Sequence, residues 1–164
     1  MDVAIVSDTH IPSRAQSIPA WARRRISEAD HVIHAGDFDS TKALADVRQL
    51  APRLTAVAGN MDPRGVGLSA VETIRLGGVT FVVTHGTGSK RNYEQRVAGT
   101  VADHADDGPT VGVSGHTHQL LDDVVDGHRL LNPGSVTGAA PADEATMLTA
   151  EVGDGDLDVT IHRE

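Results

Sequence analysis

The chain has no cysteine among its 164 residues. Disulfides, thiolate metal ligands and a cysteine nucleophile are therefore all excluded, and any metal site must be built from nitrogen and oxygen donors. Aromatic residues make up only 2% of the chain and lysine occurs only as Lys42 and Lys90, so most of the 14 basic residues are arginine. With so few rings, the core must be made from Val, Ala, Leu and Ile, and a hydrophobic fraction of 39% suits a globular protein rather than a disordered one. Apolar runs such as "VTFVV" fall far short of the roughly 20 residues that span a bilayer. The opening "MDVAIVSD" carries an acid at position 2 and no basic region, which makes a cytoplasmic protein without membrane attachment the expectation.

Charge of one sign is also scarce. The formal net charge is −9, and acids cluster in "DHADD", "LDDVVDG" and "DGDLD". Such a surface repels a nucleic-acid backbone and excludes broad electrostatic binding to DNA or RNA. Two explanations of the acidity stay open: adaptation to a high-salt (halophilic) cytoplasm, and an ordinary acidic protein with pI near 5.3. The length fits a single domain over residues 1–164.

What is present reads as alternating elements. Asp2 to Ser7 is a buried strand, "PAWARRRISEAD" a helix opened by Pro19, "HVIHAGD" a strand and turn, "STKALADVRQLAP" a helix capped by Ser40, and "RLTAVAGN" a third strand. This order implies parallel pairing with helical crossovers. "AVETIRL" and "VTFVVTHG" read as a hairpin, residues 92–104 as a helix, and the remainder as short strands and turns. The expected class is α/β, with one mixed sheet or two packed sheets flanked by helices.

Polar residues collect where these strands end. The first closes on Asp8 and His10, the second on Gly36-Asp37, the third on Gly59-Asn60, the hairpin on His85-Gly86, and the next on Gly115-His116-Thr117-His118. Ligand sites in open α/β sheets lie beyond the carboxyl ends of strands, so the five clusters are expected on one rim. In extended chain, positions i and i+2 share a side, which lets Asp8 with His10, and His116 with His118, address one point. Taken singly, Asp37 is a turn former, Asn60 a left-handed residue and His85 a core histidine. Together, seven N/O donors are too many for one tetrahedral ion and suit two ions sharing a carboxylate.

Other features carry less. His31, His104, His128 and His162 read as surface or strand-start residues, and His34 as a residue behind Asp37. "GTGSKR" lacks the spacing of a phosphate-binding P-loop, and "ARRRIS" reads as a solvated helix face or a partner contact.

The ordered set D-x-H, G-D, G-N, H-G and G-H-T-H, followed by "NPGS" at residues 132–135, resembles the calcineurin-like metallophosphoesterase superfamily. Within it, the chain is similar to the small phosphodiesterases of the YfcE type and their relative, the retromer subunit Vps29. The resemblance implies a four-layer α/β/β/α sandwich. It implies one metal held by Asp8, His10, Asp37 and His118 and a second by Asp37, Asn60, His85 and His116, with Asp37 as the bridge. Asn60, His85 and His116 become the catalytic candidates. The implied activity is hydrolysis of a small phosphodiester or nucleotide by a hydroxide bridging two divalent metals, with Mn²⁺ expected and Fe, Co, Ni or Zn compatible with the ligand set. A Vps29-like protein-binding scaffold and a phosphomonoesterase are the alternatives, and self-association into a homo-oligomer is left open. Many superfamily members carry His after the G-N pair; Met61 stands here and can neither donate nor accept a proton. Residues 62–67 and 87–93 are expected to wall the substrate pocket.

Overall fold

Strand β1 (Asp2–Val6) alternates between two apolar environments, which is why a continuous hydrophobic run is needed there. Val3 and Ile5 join one buried cluster, while Ala4 and Val6 join another on the opposite face. The computed structural model describes residues 1–163. After β1 come α1 (Ala20–Glu28), β2 (His31–His34), α2 (Thr41–Leu50), β3 (Leu54–Ala56), β4 (Val71–Leu76), β5 (Val79–Thr84) and α3 (Tyr93–His104). The chain closes with β6 (Thr110–Val113), β7 (Leu120–Val125), β8 (His128–Pro133), β9 (Thr146–Gly153) and β10 (Asp156–Arg163). Pro19 occupies the cap position before α1 rather than its first turn, and Ser40 Oγ accepts the Ala43 N–H at 3.1 Å to start α2.

Two five-stranded mixed sheets form, ordered β10-β9-β1-β2-β3 and β4-β5-β6-β8-β7. Strands β1, β2 and β3 run parallel in the first sheet and β5, β6 and β8 in the second, with antiparallel strands at the margins. Between the sheets lies a core that includes Ile5, Ile33, Phe81, Val83, Val113 and Leu148. The outer face of the first sheet packs on α1 and α2 through Ile26, Leu44 and Val47, and that of the second on α3 through Tyr93, Val97 and Val101. The arrangement is the α/β/β/α sandwich, and it resolves the choice between one sheet and two. Among the described residues no helix is long and apolar enough to cross a membrane.

One corner of this frame shows how acidity strains the surface. Asp2, Glu151 and Asp158 stand directly opposite one another across β1, β9 and β10, all exposed, with Arg25 of α1 bordering the same corner. Like charges in register oppose pairing, and salt screens them within about 3 Å at 1 M. The melting temperature is therefore expected to climb by about 2–4 °C between dilute buffer and 1 M KCl, equivalent to ~1 kcal/mol for a chain of this size. A flat or falling melting curve series would remove the high-salt explanation of the composition.

Candidate metal centre

The polar strand ends do meet at one end of the sandwich, but by a different backbone route from simple extension. Strand β1 stops at Val6, and Asp8 and His10 then adopt positive φ of 54° and 47°. Asp37, Asp39, His116 and His118 do the same, at 64°, 77°, 75° and 60°. It is this left-handed backbone in the loops, not the pleat of a strand, that turns neighbouring side chains inward. Close approach explains two glycines: a Cβ on Gly59 would collide with Asp37 Oδ1, and one on Gly115 with Ser7 Oγ.

Asp8, His10, Asp37, His85 and His118 are buried and form two overlapping groups, Asp8–His10–His118 and Asp8–Asp37–His85, each able to hold an ion. Three imidazoles present the same nitrogen. His10 Nδ1 donates to Asp39 Oδ1 at 2.8 Å, His85 Nδ1 to the Ala35 carbonyl at 2.7 Å, and His118 Nδ1 to the Ala139 carbonyl at 2.8 Å. Each partner fixes the proton on Nδ1 and leaves the Nε2 lone pair facing inward. His10 Nε2 and His118 Nε2 lie 3.1 Å apart, and Asp8 Oδ1 sits 3.5 Å from the first and 3.3 Å from the second. Asp37 Oδ2 lies 3.1 Å from His85 Nε2 and 3.5 Å from His10 Nε2.

The remaining carboxylate oxygens are already used. Asp8 Oδ2 accepts from Ser7 Oγ at 2.8 Å and the His116 N–H at 3.1 Å, and Asp37 Oδ1 accepts the Met61 N–H at 2.8 Å. Asp8 Oδ1 and His85 Nε2 are buried with no hydrogen-bond partner. Lone pair thus faces lone pair in a closed space, the condition that divalent cations relieve, and the N/O donor set fits such ions. Without a cation the crowding is eased by protons. Burial alone would raise the Asp8 carboxyl, but His10, His118 and His85 hold it well below the carboxylate range. Burial opposes the charge on His10 and His85, and the carboxylates around them outweigh it and raise both. Burial likewise works against the Asp37 charge, and His85 reverses the effect and lowers its pKa.

Asn60 and His116 stand apart from the buried groups. Asn60 is exposed, His116 is half-buried, and Asn60 Oδ1 lies 3.2 Å from His116 Nδ1. The other histidines lie outside the cluster. His34 is held neutral, its pKa pushed down to about 3 by complete burial. Its Nδ1 accepts the Gly36 N–H at 3.0 Å, its Nε2–H donates to Thr9 Oγ1 at 2.8 Å, and its ring stacks on Phe38. His31 is buried against Thr55 at the start of β2, His104 is exposed at the end of α3, and His128 and His162 lie in β8 and β10.

Several supporting residues were not singled out in the sequence. Asp39 orients His10 and is bonded in turn by Ser13 Oγ; its spacing of two from Asp37 repeats that of the other pairs and was the available signal. Asp62, expected only as a pocket wall, instead accepts four backbone N–H groups, from Asp37, Phe38, Asp39 and Gly59, at 2.7–3.1 Å. It ties the loop after β2 to the loop after β3. Within "NPGS", Asn132 Nδ2 donates to the Gly115 carbonyl and to Thr117 Oγ1, and Ser135 Oγ to the Asp8 carbonyl. Tyr93, its pKa pushed up to about 12 by burial, also donates to the Gly115 carbonyl. Of the expected walls, Thr87 borders a cavity of ~340 Å³ that reaches His85, and Lys90 and Tyr93 border another of ~280 Å³ beside Thr117.

Asp62→Asn tests the tie. One carboxylate oxygen becomes an N–H group aimed at other donors, so unfolding free energy is expected to fall by about 1–3 kcal/mol in urea titrations. An unchanged midpoint would mean that the four bonds contribute nothing net.

The fold and this cluster define a class. A sequence model of the calcineurin-like phosphoesterase superfamily domain matches residues 1–155, and the chain belongs to that family. It is 34% identical over 155 residues to a probable metallophosphoesterase of Methanothermobacter thermautotrophicus, covering 90% of this chain and 84% of the relative. A phosphodiesterase of Methanocaldococcus jannaschii is 25% identical over 153 residues, covering 84% and 86%. Among solved structures, wild-type Vps29 of Entamoeba histolytica complexed with Zn²⁺ superimposes with a TM-score of 0.74 at 25% identity, covering 100% of this chain and 98% of that one.

Proposed function

We propose that this protein is a binuclear metal-dependent phosphodiesterase acting on a small phosphoester. The observation that carries the reading is the enclosed set of inward-facing acceptors, Asp8 Oδ1, Asp37 Oδ2 and the Nε2 atoms of His10, His85 and His118, of which Asp8 Oδ1 and His85 Nε2 have no hydrogen-bond partner. In the proposed assignment Asp8, His10, Asp37 and His118 hold one ion, Asp37, Asn60, His85 and His116 hold the other, and Mn²⁺ is the ion expected to support turnover. Bound there, divalent ions supply a water acidic enough to ionise near neutral pH and neutralise phosphoryl oxygens for in-line displacement.

The chain's own contribution is orientation. Asp39 and the carbonyls of Ala35 and Ala139 fix the imidazoles, so no ring must reorient during the reaction. In this reading the cavity that reaches His85 would receive an ester substituent, and Asn60 and His116, on the more exposed side of the buried groups, would meet the phosphoryl group. Preference for diesters over monoesters is supported by Met61, which offers no proton for a leaving oxygen, and by the M. jannaschii relative's name.

A Vps29-like scaffold is the second reading, favoured by a structural likeness that spans the whole chain. Purification without added metal, followed by metal analysis and assay of an aryl phosphodiester and an aryl monoester with Mn²⁺, separates the two. Two ions per chain with diester turnover is the expected result. Bound metal without turnover across a phosphoester panel would favour the scaffold, and a monoesterase would reveal itself in the same panel.

A further inference from the structure

His116 differs from the other three imidazoles of the site in which nitrogen it offers. Its Nε2 lies 2.8 Å from the carbonyl oxygen of Gly88, and a carbonyl can only accept. Its Nδ1 lies 3.2 Å from Asn60 Oδ1, an acceptor as well, but an amide can turn to present Nδ2–H whereas a backbone carbonyl cannot, so the neutral ring carries its proton on Nε2 and leaves Nδ1 bare. His10, His85 and His118 carry the proton on Nδ1 instead. The tautomer of His116 is thus set by a single backbone carbonyl on an exposed loop.

That loop is held by one side chain. Residues 86–89 connect His85 to the region before α3, and none of them lies in a strand or helix. Arg96, on the second turn of α3, donates from Nη1 to the Thr87 carbonyl at 2.9 Å, and from Nη2 to the carbonyls of Ser89 at 2.5 Å and Gly86 at 3.4 Å. The guanidinium also lies 6.0 Å from the Tyr93 ring centroid. Three carbonyls are drawn to one planar fork, and the Gly88 carbonyl between them is left free for His116. Gly88 itself has φ of 126°, and a Cβ there would meet Arg96 Nη1 at 3.2 Å, so the turn and the arginine are fitted to each other.

We propose that Arg96 is a positioning residue for His116: by clasping residues 86–89 it aims the Gly88 carbonyl, and that carbonyl selects the ring form whose Nδ1 faces the second ion's subsite. The proposal rests on the two-ion reading for its effect on metal binding, but not for its effect on the tautomer. Orienting partners of this kind are worth about 10–100-fold in metal affinity. A lysine cannot replace the fork, because a single ammonium cannot reach three carbonyls in one plane.

The test uses ¹⁵N-labelled, metal-free full-length protein, with ring nitrogen shifts of His116 read from two-bond ¹H–¹⁵N correlations, and Mn²⁺ titration calorimetry alongside. In wild type, His116 is expected to show a bare Nδ1 and a protonated Nε2, and two Mn²⁺ ions are expected to bind. In Arg96→Met the tautomer preference should relax toward a mixture, and the weaker of the two Mn²⁺ affinities should fall about 10–100-fold while the other holds. Arg96→Lys should lie between the two, and it carries the comparison if the methionine variant does not fold. A wild-type His116 protonated on Nδ1, or an Arg96→Met protein that keeps both the tautomer and the second affinity, overturns the proposal. Wild type that binds one Mn²⁺ or none defeats the two-ion reading, and the ring shifts then judge Arg96 alone.

Discussion

Asp37→Ala is expected to purify with neither ion and to hydrolyse phosphodiesters at least about a hundredfold more slowly. The estimate is a lower bound, because even partners that only orient a metal ligand cost 10–100-fold when removed. Asp37 Oδ2 lies between His10 and His85, 3.5 Å and 3.1 Å from their Nε2 atoms, so its loss empties the space between the two proposed subsites. Asp8→Ala makes the necessary comparison. Asp8 belongs to both groups able to hold an ion, and its Oδ1 lies 3.5, 3.3 and 3.9 Å from the Nε2 atoms of His10, His118 and His85. If metal analysis shows Asp37→Ala retaining one ion while Asp8→Ala retains none, the shared ligand is Asp8. Full metal content in Asp37→Ala would overturn the assignment altogether.

The second large effect concerns the leaving group. Met61 is 42% exposed beside Asn60, and its contact with the centre is a backbone one, its N–H donating to Asp37 Oδ1. With no side-chain proton at that place, wild type should hydrolyse aryl diesters about 10²–10⁴-fold faster than alkyl diesters, the range that general-acid help otherwise supplies. Met61→His should flatten this dependence and favour monoesters. Asp62 does not assist the new imidazole, because both of its oxygens are taken by backbone N–H groups. Rates across a series of leaving-group pKa, at equal metal occupancy, provide the measurement. Similar wild-type rates for aryl and alkyl esters would show that another group delivers the proton.

Much of this was readable in the residues. Uninterrupted apolar strands, the hairpin of β4 and β5 and the capped α2 follow from local pattern, and the five polar strand ends include the five side chains of the two groups able to hold an ion. Pairing across long sequence distance was not readable. β9 joins β1 with Asp2 opposite Glu151, a contact that no local period announces, and it is this that returns β9 and β10 to the first sheet. The left-handed turns at Asp8 and His10 were also hidden, since a D-x-H step looks the same in strand or loop. Asp39 and Asp62 escaped for a related reason: an acid in a turn is ordinary until its donors are seen.

Those left-handed residues have a further consequence. Six of the nine non-glycine residues with positive φ among the described residues belong to the centre or orient it, and such backbone costs of order 1 kcal/mol each in side chains that resist it. Glycine at any of these positions would relieve that backbone cost, so in backbone strain alone the drift away from chemistry is downhill, one mutation at a time. A chain maintained only as a protein-binding surface has no counterweight to that slope. By this reasoning the five ligand-type side chains on left-handed backbone, Asp8, His10, Asp37, His116 and His118, are an evolutionary burden that persists where turnover is under selection, and stability screens of random libraries should recover their replacements before those of the core.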